Sequence, residues 1–597
     1  MDRPKQLKLV ADWERLQKIF IRPEDDDCKA ILVKYMEQIL FGLHDFINRN
    51  VGITEEISLK ELTENFRDTL ISPEPEKKLA EVISDIIFQI APRAVNVASP
   101  YFVGHMTAAI PFFMVHLKAI VAALNQNVIK LETSKVLSVL EKQVLAKIHR
   151  LIYGINKSSV ESFNLSNLYS NGTFSLSKKA RLSEEFYNTH VQNADTSLGS
   201  FTTGGTTANL TALWVARNRF FKPFDSFEGI ESEGIAQALR AYSLDNAVLL
   251  VSKRGHFSLK KSGGVLGIGN KNIVPIDVNS ECRLDVKKLS SSIKQIKRLG
   301  RTGIISVVGV AGATETGIID PLEDIADICQ EYGINFHVDA AWGGPVMLSE
   351  KYSHKLKGIE RADSVTIDGH KQFFMPMTCG MVFFRDPLAM NSIAYHSNYV
   401  NRQGSVDLGI KTLEGSREAN SLILDSALKI MGTKGYSLMI DHGIETARKF
   451  ADEIKNRELF ELITEPELNI LTYRMVPKEM KQRLKTADRD EKKQLNEKID
   501  KINIAIQRKQ REAGRSFVSR TRMNYRIALN GSGFGDDEVV VLRSVIMNPM
   551  TNISILNDVL DEQENILQSL DSQLPPPEAV ELNSNNSDIS CEKYEGE

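Results

Sequence analysis

The 597-residue chain carries 74 basic and 77 acidic residues, a net charge of −3, and is 42% hydrophobic against 25% charged. That balance creates no global field to draw the protein to nucleic acid or an anionic membrane, so small neutral or zwitterionic partners fit better. The length supports a large core divided into two or three packed parts. Five cysteines, Cys28, Cys282, Cys329, Cys379 and Cys591, are scattered without a CxxC pair. This suggests neither a disulfide framework nor a zinc site, and a reducing, cytoplasmic setting is expected. The N-terminal run MDRPKQLKLVADWERL has early charge and no apolar core, so it does not read as a secretory signal. The most apolar long window, 110–124, is interrupted by His116 and Lys118. It falls short of the ~20 residues that span a bilayer, and a soluble protein is expected.

Residues 1–95 read as a helical arm, with apolar residues at helical spacing in AILVKYMEQILFGLHDFI and KKLAEVISDIIFQIA. Such an arm needs something to pack against. From 96 to 425, β-branched runs such as NAVLLVS, GIISVVGV, INFHVDA and CGMVFF alternate with helical stretches such as PLEDIADICQEYG. The alternation predicts parallel strands joined by helices, a large α/β domain. Within it, about 156–186 is rich in Ser and Asn and reads as a surface insertion. Residues 426–572 read as a smaller α+β domain. Its charged run at about 476–514 mixes acids and bases at helical spacing, which predicts an exposed helical excursion rather than a nucleic-acid patch. The tail, 573–597, has the composition of disorder.

The chemistry-bearing residues also come in order. In FTTGGTTANL, Gly204 and Gly205 followed by Thr206 and Thr207 open a helix, whose free N–H groups and dipole suit a phosphate; the alternative is a tight turn with an N-cap. His256 follows a strand-like run and could stack on a flat ring, or be a satisfied structural histidine. Thr314 lies in a small-residue loop, and Asp320, before a Pro-initiated helix, reads as a helix cap. In INFHVDAAWGG, Asp339 ends a strand, where open α/β sheets hold ligands, and Ala341 leaves room for a flat ring. Lys371 follows in ADSVTIDGHKQFF. A buried lysine forms an imine and a buried carboxylate keeps a pyridine nitrogen protonated, the two groups that pyridoxal 5'-phosphate (PLP) asks of a protein. Read singly, the lysine could be half of a solvated pair and the aspartate a turn residue.

The order GGTTAN, His256, HVDAA and S-x5-HK resembles the group II PLP-dependent decarboxylases, whose fold is the aspartate-aminotransferase-like fold type I. SVTIDGHKQFFMPMTCGMVFFR follows that family's lysine signature, departing mainly at Gln372, where an apolar residue or His is usual. The resemblance implies that Lys371 is the imine lysine, Asp339 the ring-nitrogen partner, and His256 the group stacked on the exposed ring face. It makes Gly205 and Thr206 phosphate ligands, with His370 and Thr314 nearby, and sets Ala341 against the opposite ring face. It also implies a homodimer with active sites at the subunit interface and the N-terminal arm wrapped around the partner.

For the substrate, VVVLRSVIMNP is similar to the run in which decarboxylases of acidic amino acids carry the arginine that holds the side-chain carboxylate, here Arg543. A planar guanidinium grips a carboxylate through two N–H groups, which gives the assignment a physical basis. An outward-pointing edge-strand arginine is the alternative. SPYFVGHMTAAIP and LNQNVIKLETSKVLSVLE resemble the glutamate-decarboxylase pattern, retaining Asn125, Asn127, Glu132 and Glu141, but His105 or a close neighbour stands where that family has a substrate-contacting amide. With FYNTHVQNADTSLG and SNYVNRQGSVDLGIKTLEGSR, the chain resembles the bacterial pyridoxal-dependent aspartate 1-decarboxylases, which supply β-alanine for pantothenate. Glutamate, cysteine sulfinate and aromatic amino acids are the alternative substrates. The loop AYHSNYVNRQGSVDLG sits where the family has its mobile catalytic loop, with Tyr399 preferred to Tyr395 as proton donor. Arg417 either serves the α-carboxylate or braces the loop. A sphingosine-phosphate type lyase lacks its lipid anchor and phosphate-binding cations here. A catalytically idle scaffold would show a damaged site, whereas Lys371, Asp339 and His256 are intact.

Overall fold

The computed structural model describes residues 30, 33–42, 53, 59–64, 66–154, 176–396, 405–524 and 538–571. About half of the expected N-terminal arm, the stretch 156–175 of the expected insertion and the tail 573–597 lie outside the described residues. Helices α1 (Phe112–Leu124), α2 (Val136–Tyr153) and α3 (Leu176–His190) precede the first sheet.

That sheet has seven strands: β1 (Gly199–Thr202), β2 (Asn246–Ser252), β3 (Ile273–Ile276), β4 (Thr302–Val310), β5 (Asn335–Asp339), β6 (Ser364–Asp368) and β7 (Gly380–Phe384). Their spatial order is β1-β7-β6-β5-β4-β2-β3. Helices α4 (Gly205–Phe220), α5 (Phe257–Val265) and α6 (Leu322–Tyr332) connect them. β2 and β4 are buried along almost their whole length, the near-continuous apolar run expected of strands covered on both faces. α6 starts with Glu323 and Asp324 at its positive end and stops at Gly333, whose φ of +64° supplies the left-handed cap. The core gathers Val307, Phe336, Val338, Val365 and Ile367 from the sheet and Ile423 and Leu424 from the long helix described next.

Two expectations need correction in this layer. The run CGMVFF forms β7, but β7 pairs antiparallel with both β6 and β1. A parallel return needs a crossover element, and the segment between β6 and β7 forms no helix that could provide one. Asp320 caps no helix: its carboxylate accepts from the backbone N–H of Leu284 at 2.7 Å and of Val310 at 2.9 Å. It ties the end of β4 to the turn at Leu284 in the interior, and burial pushes its carboxyl up to about 6 against these stabilising hydrogen bonds.

Helix α7 (Asn420–Asn456) bends at Gly432 and joins the two sheets. Its first turns pack into the large core through Ile423, Leu424 and Ala427, and its last through Ala447, Phe450 and Ile454 into a second core. The division expected at 425/426 therefore falls inside the first segment of this helix, before the break at Gly432. Beyond it lie β8 (Phe460–Thr464), β9 (Ile470–Met475), helices α8 (Lys478–Thr486) and α9 (Arg489–Ala513), β10 (Ser519–Asn524), β11 (Glu538–Val545) and α10 (Ile553–Asp571). The second sheet is antiparallel in the order β10-β11-β9-β8.

The charged run is an exposed excursion only in part: α8 buries no residue, but α9 does. α9 buries Leu495, Ile499, Asn503, Ile506 and Gln510, one stripe at helical spacing, against the second sheet. Asn503 exchanges both hydrogen bonds with the Met475 backbone, and buried Arg474 bonds Asn496 and Glu461. The charges that dominate its composition occupy the solvent face of a structural helix.

Candidate active site

The carboxyl ends of β4, β5 and β6 and the start of α4 enclose a cavity of about 370 Å³, within the range of small-molecule sites. Eight residues singled out in the sequence line it together: Gly205, Thr206, His256, Thr314, Asp339, Ala341, His370 and Lys371. A larger cavity of about 580 Å³ opens at the other end of these strands. Its Arg361 and Arg385 are already paired with Asp327 and Asp363, so it offers little with which to recognise a ligand.

Asp339, the last residue of β5, is buried and held at both oxygens. Asn209 Nδ2 donates to Oδ2 at 2.9 Å and the Ala341 N–H to Oδ1 at 3.2 Å. Asn209 Oδ1 in turn faces His337 Nε2 at 3.0 Å, and His337 Nδ1 faces Ser364 Oγ at 2.9 Å. Burial pushes the His337 imidazole down to about 4 while Asp339 pulls the other way, so the ring is neutral, donating to Asn209 and accepting from Ser364. Neither Asn209 nor His337 was singled out from the sequence, although each sits inside a motif that was. Asn209→Ala would orphan a buried acceptor on Asp339 and a buried donor on His337. We expect urea unfolding to report a loss of about 1–3 kcal/mol; an unchanged midpoint would show that the chain does not lean on this relay.

His256 is the N-cap of α5: its Nδ1 accepts from the Ser258 N–H at 3.3 Å and lies 2.8 Å from Ser258 Oγ. Burial pushes this imidazole below its ordinary value, with Asp339 the chief opposing charge. His370 is anchored through Nδ1 to the Cys379 backbone, 2.7 Å from its carbonyl oxygen. Lys371 Nζ rests 3.0 Å from Oδ2 of Asp368, a cavity residue not singled out from the sequence.

Arg543 lies in β11 on the face it shares with Val539 and Val541, which pack on Cys282 and on Ile318 of the loop that follows β4. This turns the guanidinium toward the loop carrying Thr314, whose Glu315 acts on its charge, although Arg543 is not among the residues that line the cavity. Its Nε has no hydrogen-bond partner among the described residues. Burial pushes the group down to about 10, opposed by Glu315, and it stays charged at neutral pH. His105 remains accessible at its edge, yet its imidazole is pushed down by desolvation, then by the charges of Arg543 and Lys371. The ring thus stands within electrostatic reach of both cations.

Arg417 must be corrected as a substrate ligand. It does not line the cavity; it makes a buried two-pronged pair with Glu141, at 2.7 and 2.5 Å, and its backbone is tied to Asn127 and Val128. A guanidinium whose two terminal nitrogens already face a buried carboxylate braces the segment; its Nε alone has no hydrogen-bond partner among the described residues. Tyr399 lies outside the described residues. Tyr395, the other tyrosine considered, donates its hydroxyl to Glu231 and does not line the cavity.

The cleft fits PLP. A Cβ on Gly205 would meet Asp368 Oδ2 at 2.8 Å and Ala341 Cβ at 3.3 Å, so this cradle closes only around a glycine. The first N–H groups of the 16-residue α4, with the hydroxyls of Thr206 and Thr207 beside them, provide donors for a phosphate. Ala341 and His256 border a space for a flat ring, Asp339 offers the carboxylate for its nitrogen, and Lys371 the amine.

Fold and cleft together define a fold type I, PLP-dependent enzyme. The model for the pyridoxal-dependent decarboxylase conserved domain matches residues 175–476, and the chain belongs to this family of PLP-dependent amino acid decarboxylases. It is 42% identical over 566 residues to an aspartate 1-decarboxylase of Aliivibrio fischeri, an alignment covering 95% of this chain and 96% of that one. It is 25% identical over 543 residues to the acidic amino acid decarboxylase GADL1 of Xenopus tropicalis, covering 90% and 91%. Among solved structures, mouse CSAD superimposes with a TM-score of 0.73 at 21% identity, covering 90% of this chain and all of that one. The glutamate decarboxylase domain of a diaminobutyrate-pyruvate transaminase and L-2,4-diaminobutyrate decarboxylase from Vibrio parahaemolyticus gives the same score at 22% identity, covering 94% and 100%.

Proposed function

We propose that the chain decarboxylates a small acidic amino acid, L-aspartate, to β-alanine and carbon dioxide, acting as a homodimer in the cytoplasm. The observation that carries the substrate class is Arg543, a desolvated cation with an unpartnered Nε, aimed at the loop that lines the cleft. A guanidinium in that condition gains most from an incoming carboxylate. The 42% identity to an aspartate 1-decarboxylase narrows the class to aspartate.

The dimer draws support from an apolar surface. Ile71 is 96% exposed and Phe112 79%, and further large apolar side chains stand out along 66–139, a concentration typical of a covered interface. Among the described residues no helix is long and apolar enough to cross a membrane.

In the reaction, Lys371 would bind the cofactor through Nζ, Asp339 would hold a proton at its ring nitrogen, and Gly205 and Thr206 would hold its phosphate. His256 and Ala341 would keep the ring flat between them. When bound, the cofactor supplies an electron-poor ring that accepts the electron pair left as the bond from Cα to the carboxylate breaks. Arg543 would fix the far carboxylate and so hold that bond perpendicular to the ring, where orbital overlap is greatest. Carbon dioxide leaves, and Cα takes up a proton in its place, from Tyr399 in this proposal. Incubating the purified, cofactor-loaded protein with aspartate, glutamate, cysteine sulfinate and an aromatic amino acid, and following carbon dioxide release, tests the assignment. Aspartate should give the highest kcat/KM; an aromatic substrate ahead of it would overturn the acidic class.

A further inference from the structure

Asp368 ends β6 with 2% of its surface exposed, and its N–H donates to the Ala341 carbonyl oxygen at 3.2 Å. Its Oδ2 lies 3.0 Å from Lys371 Nζ and 3.7 Å from His370 Nε2, while Oδ1 has no hydrogen-bond partner among the described residues. Gly205 packs directly over both oxygens, at 2.8 and 3.1 Å from where a Cβ would stand. The carboxylate is thus walled in, and Lys371 is the cation within ion-pair distance that compensates its burial. Such a group is costly to keep unless the pair has a use.

An amine that forms and breaks a bond to carbon must give up a proton to attack and regain one to leave. Between these events its position decides how soon it can act again. We propose that Asp368 is a positioning residue for Lys371: it holds the Nζ ammonium in the cleft while the nitrogen is free, and stabilises positive charge on the same nitrogen while it is bonded to the cofactor. The proposal rests on Lys371 being the cofactor-bonded lysine. His105 and His256 feel the charge of Lys371, and His370, Arg543, Asp339 and Glu315 act on the same two imidazoles. Asp368 makes the direct contact with Lys371 through a carboxylate.

The test uses the cofactor-loaded full chain as wild type, Asp368→Asn and Asp368→Glu. Borohydride reduction followed by peptide mass analysis first asks where the cofactor is attached; a label away from Lys371 in the wild type overturns the lysine assignment itself. With the label on Lys371, the pH midpoint of the cofactor's visible absorbance should fall by about one unit or more in Asp368→Asn, the shift expected when an adjacent opposite charge is removed. The cofactor should also dissociate about tenfold more readily, the equivalent of one such unit. Asp368→Glu, which keeps the charge but moves it by one methylene, should fall between the two. An Asp368→Asn midpoint equal to that of the wild type overturns the proposal, since a merely structural aspartate would change the melting temperature and leave the midpoint in place. Should Asp368→Asn fail to fold, Asp368→Glu decides alone: a shifted midpoint supports the proposal and a wild-type midpoint overturns it.

Discussion

Lys371→Ala is expected to yield a protein that no longer keeps its cofactor through dialysis and borohydride reduction, and that releases carbon dioxide at least about 10³-fold more slowly. Among the described residues lining the cleft, Lys371 supplies the single primary amine. No neighbouring histidine or threonine can replace the reversible bond to carbon that an amine makes. The substitution also strands Asp368. Breaking a fully buried ion pair costs on the order of 3–5 kcal/mol, and the lower end applies here because the Lys371 side chain retains 19% of its exposure. A loss of activity could therefore reflect a weakened fold. Lys371→Arg separates the two effects: it keeps a positive charge opposite Asp368 but cannot form the bond. Its melting temperature should stay near that of the cofactor-free wild type while activity and borohydride labelling vanish. Labelling retained at another lysine in either variant would move the cofactor's attachment elsewhere in the chain.

The parts of this site that could be read from the sequence are those whose chemistry is local. Gly205 with Thr206, Asp339 with Ala341 and His370 with Lys371 are each compact motifs at the end of a strand or the start of a helix, and one cleft gathers them all. Short, strongly β-branched runs such as 246–252 and 335–339 announce their own strands for the same reason. What could not be read depends on partners distant in the chain. Arg417 finds Glu141 across 276 positions, and no spacing rule distinguishes that bracing pair from a free substrate ligand. Asp320 looks like a helix cap until Leu284 and Val310 turn their N–H groups towards it. The stripe in α9 is masked by surrounding charge because Asn503 and Gln510 share the buried face with Leu495 and Ile506; polar residues become interior ones only when a sheet edge and a neighbouring side chain satisfy them. Asp368 went unnoticed beside a conspicuous lysine because its importance lies in the 3.0 Å contact, not in the residue type.

Arg543→Ala should lower kcat/KM for aspartate by about 2–5 kcal/mol, roughly 30- to 5,000-fold, while a neutral amino acid of similar size loses far less. The magnitude follows from where the guanidinium stands. It projects from β11 in the middle of a sheet, paired across to Ser519 on one side and Thr472 on the other, so its backbone is fixed before substrate arrives. Its desolvation is already incurred on folding, and burial is what pushes the group down to about 10. An incoming carboxylate therefore meets a cation stripped of part of its water, and the attraction is correspondingly strong. With the unpartnered Nε gone, the folded chain itself should lose little stability in the variant. Arg543→Lys retains the charge but not the planar fork, and should recover only part of the loss because a point charge does not fix the orientation of the carboxylate. Measuring kcat/KM for aspartate, cysteine sulfinate and 2-aminobutyrate across the three proteins separates recognition from general damage. If all three substrates fall equally in Arg543→Ala, the arginine supports only the architecture, and the acidic selectivity must be sought in His105 and its neighbours.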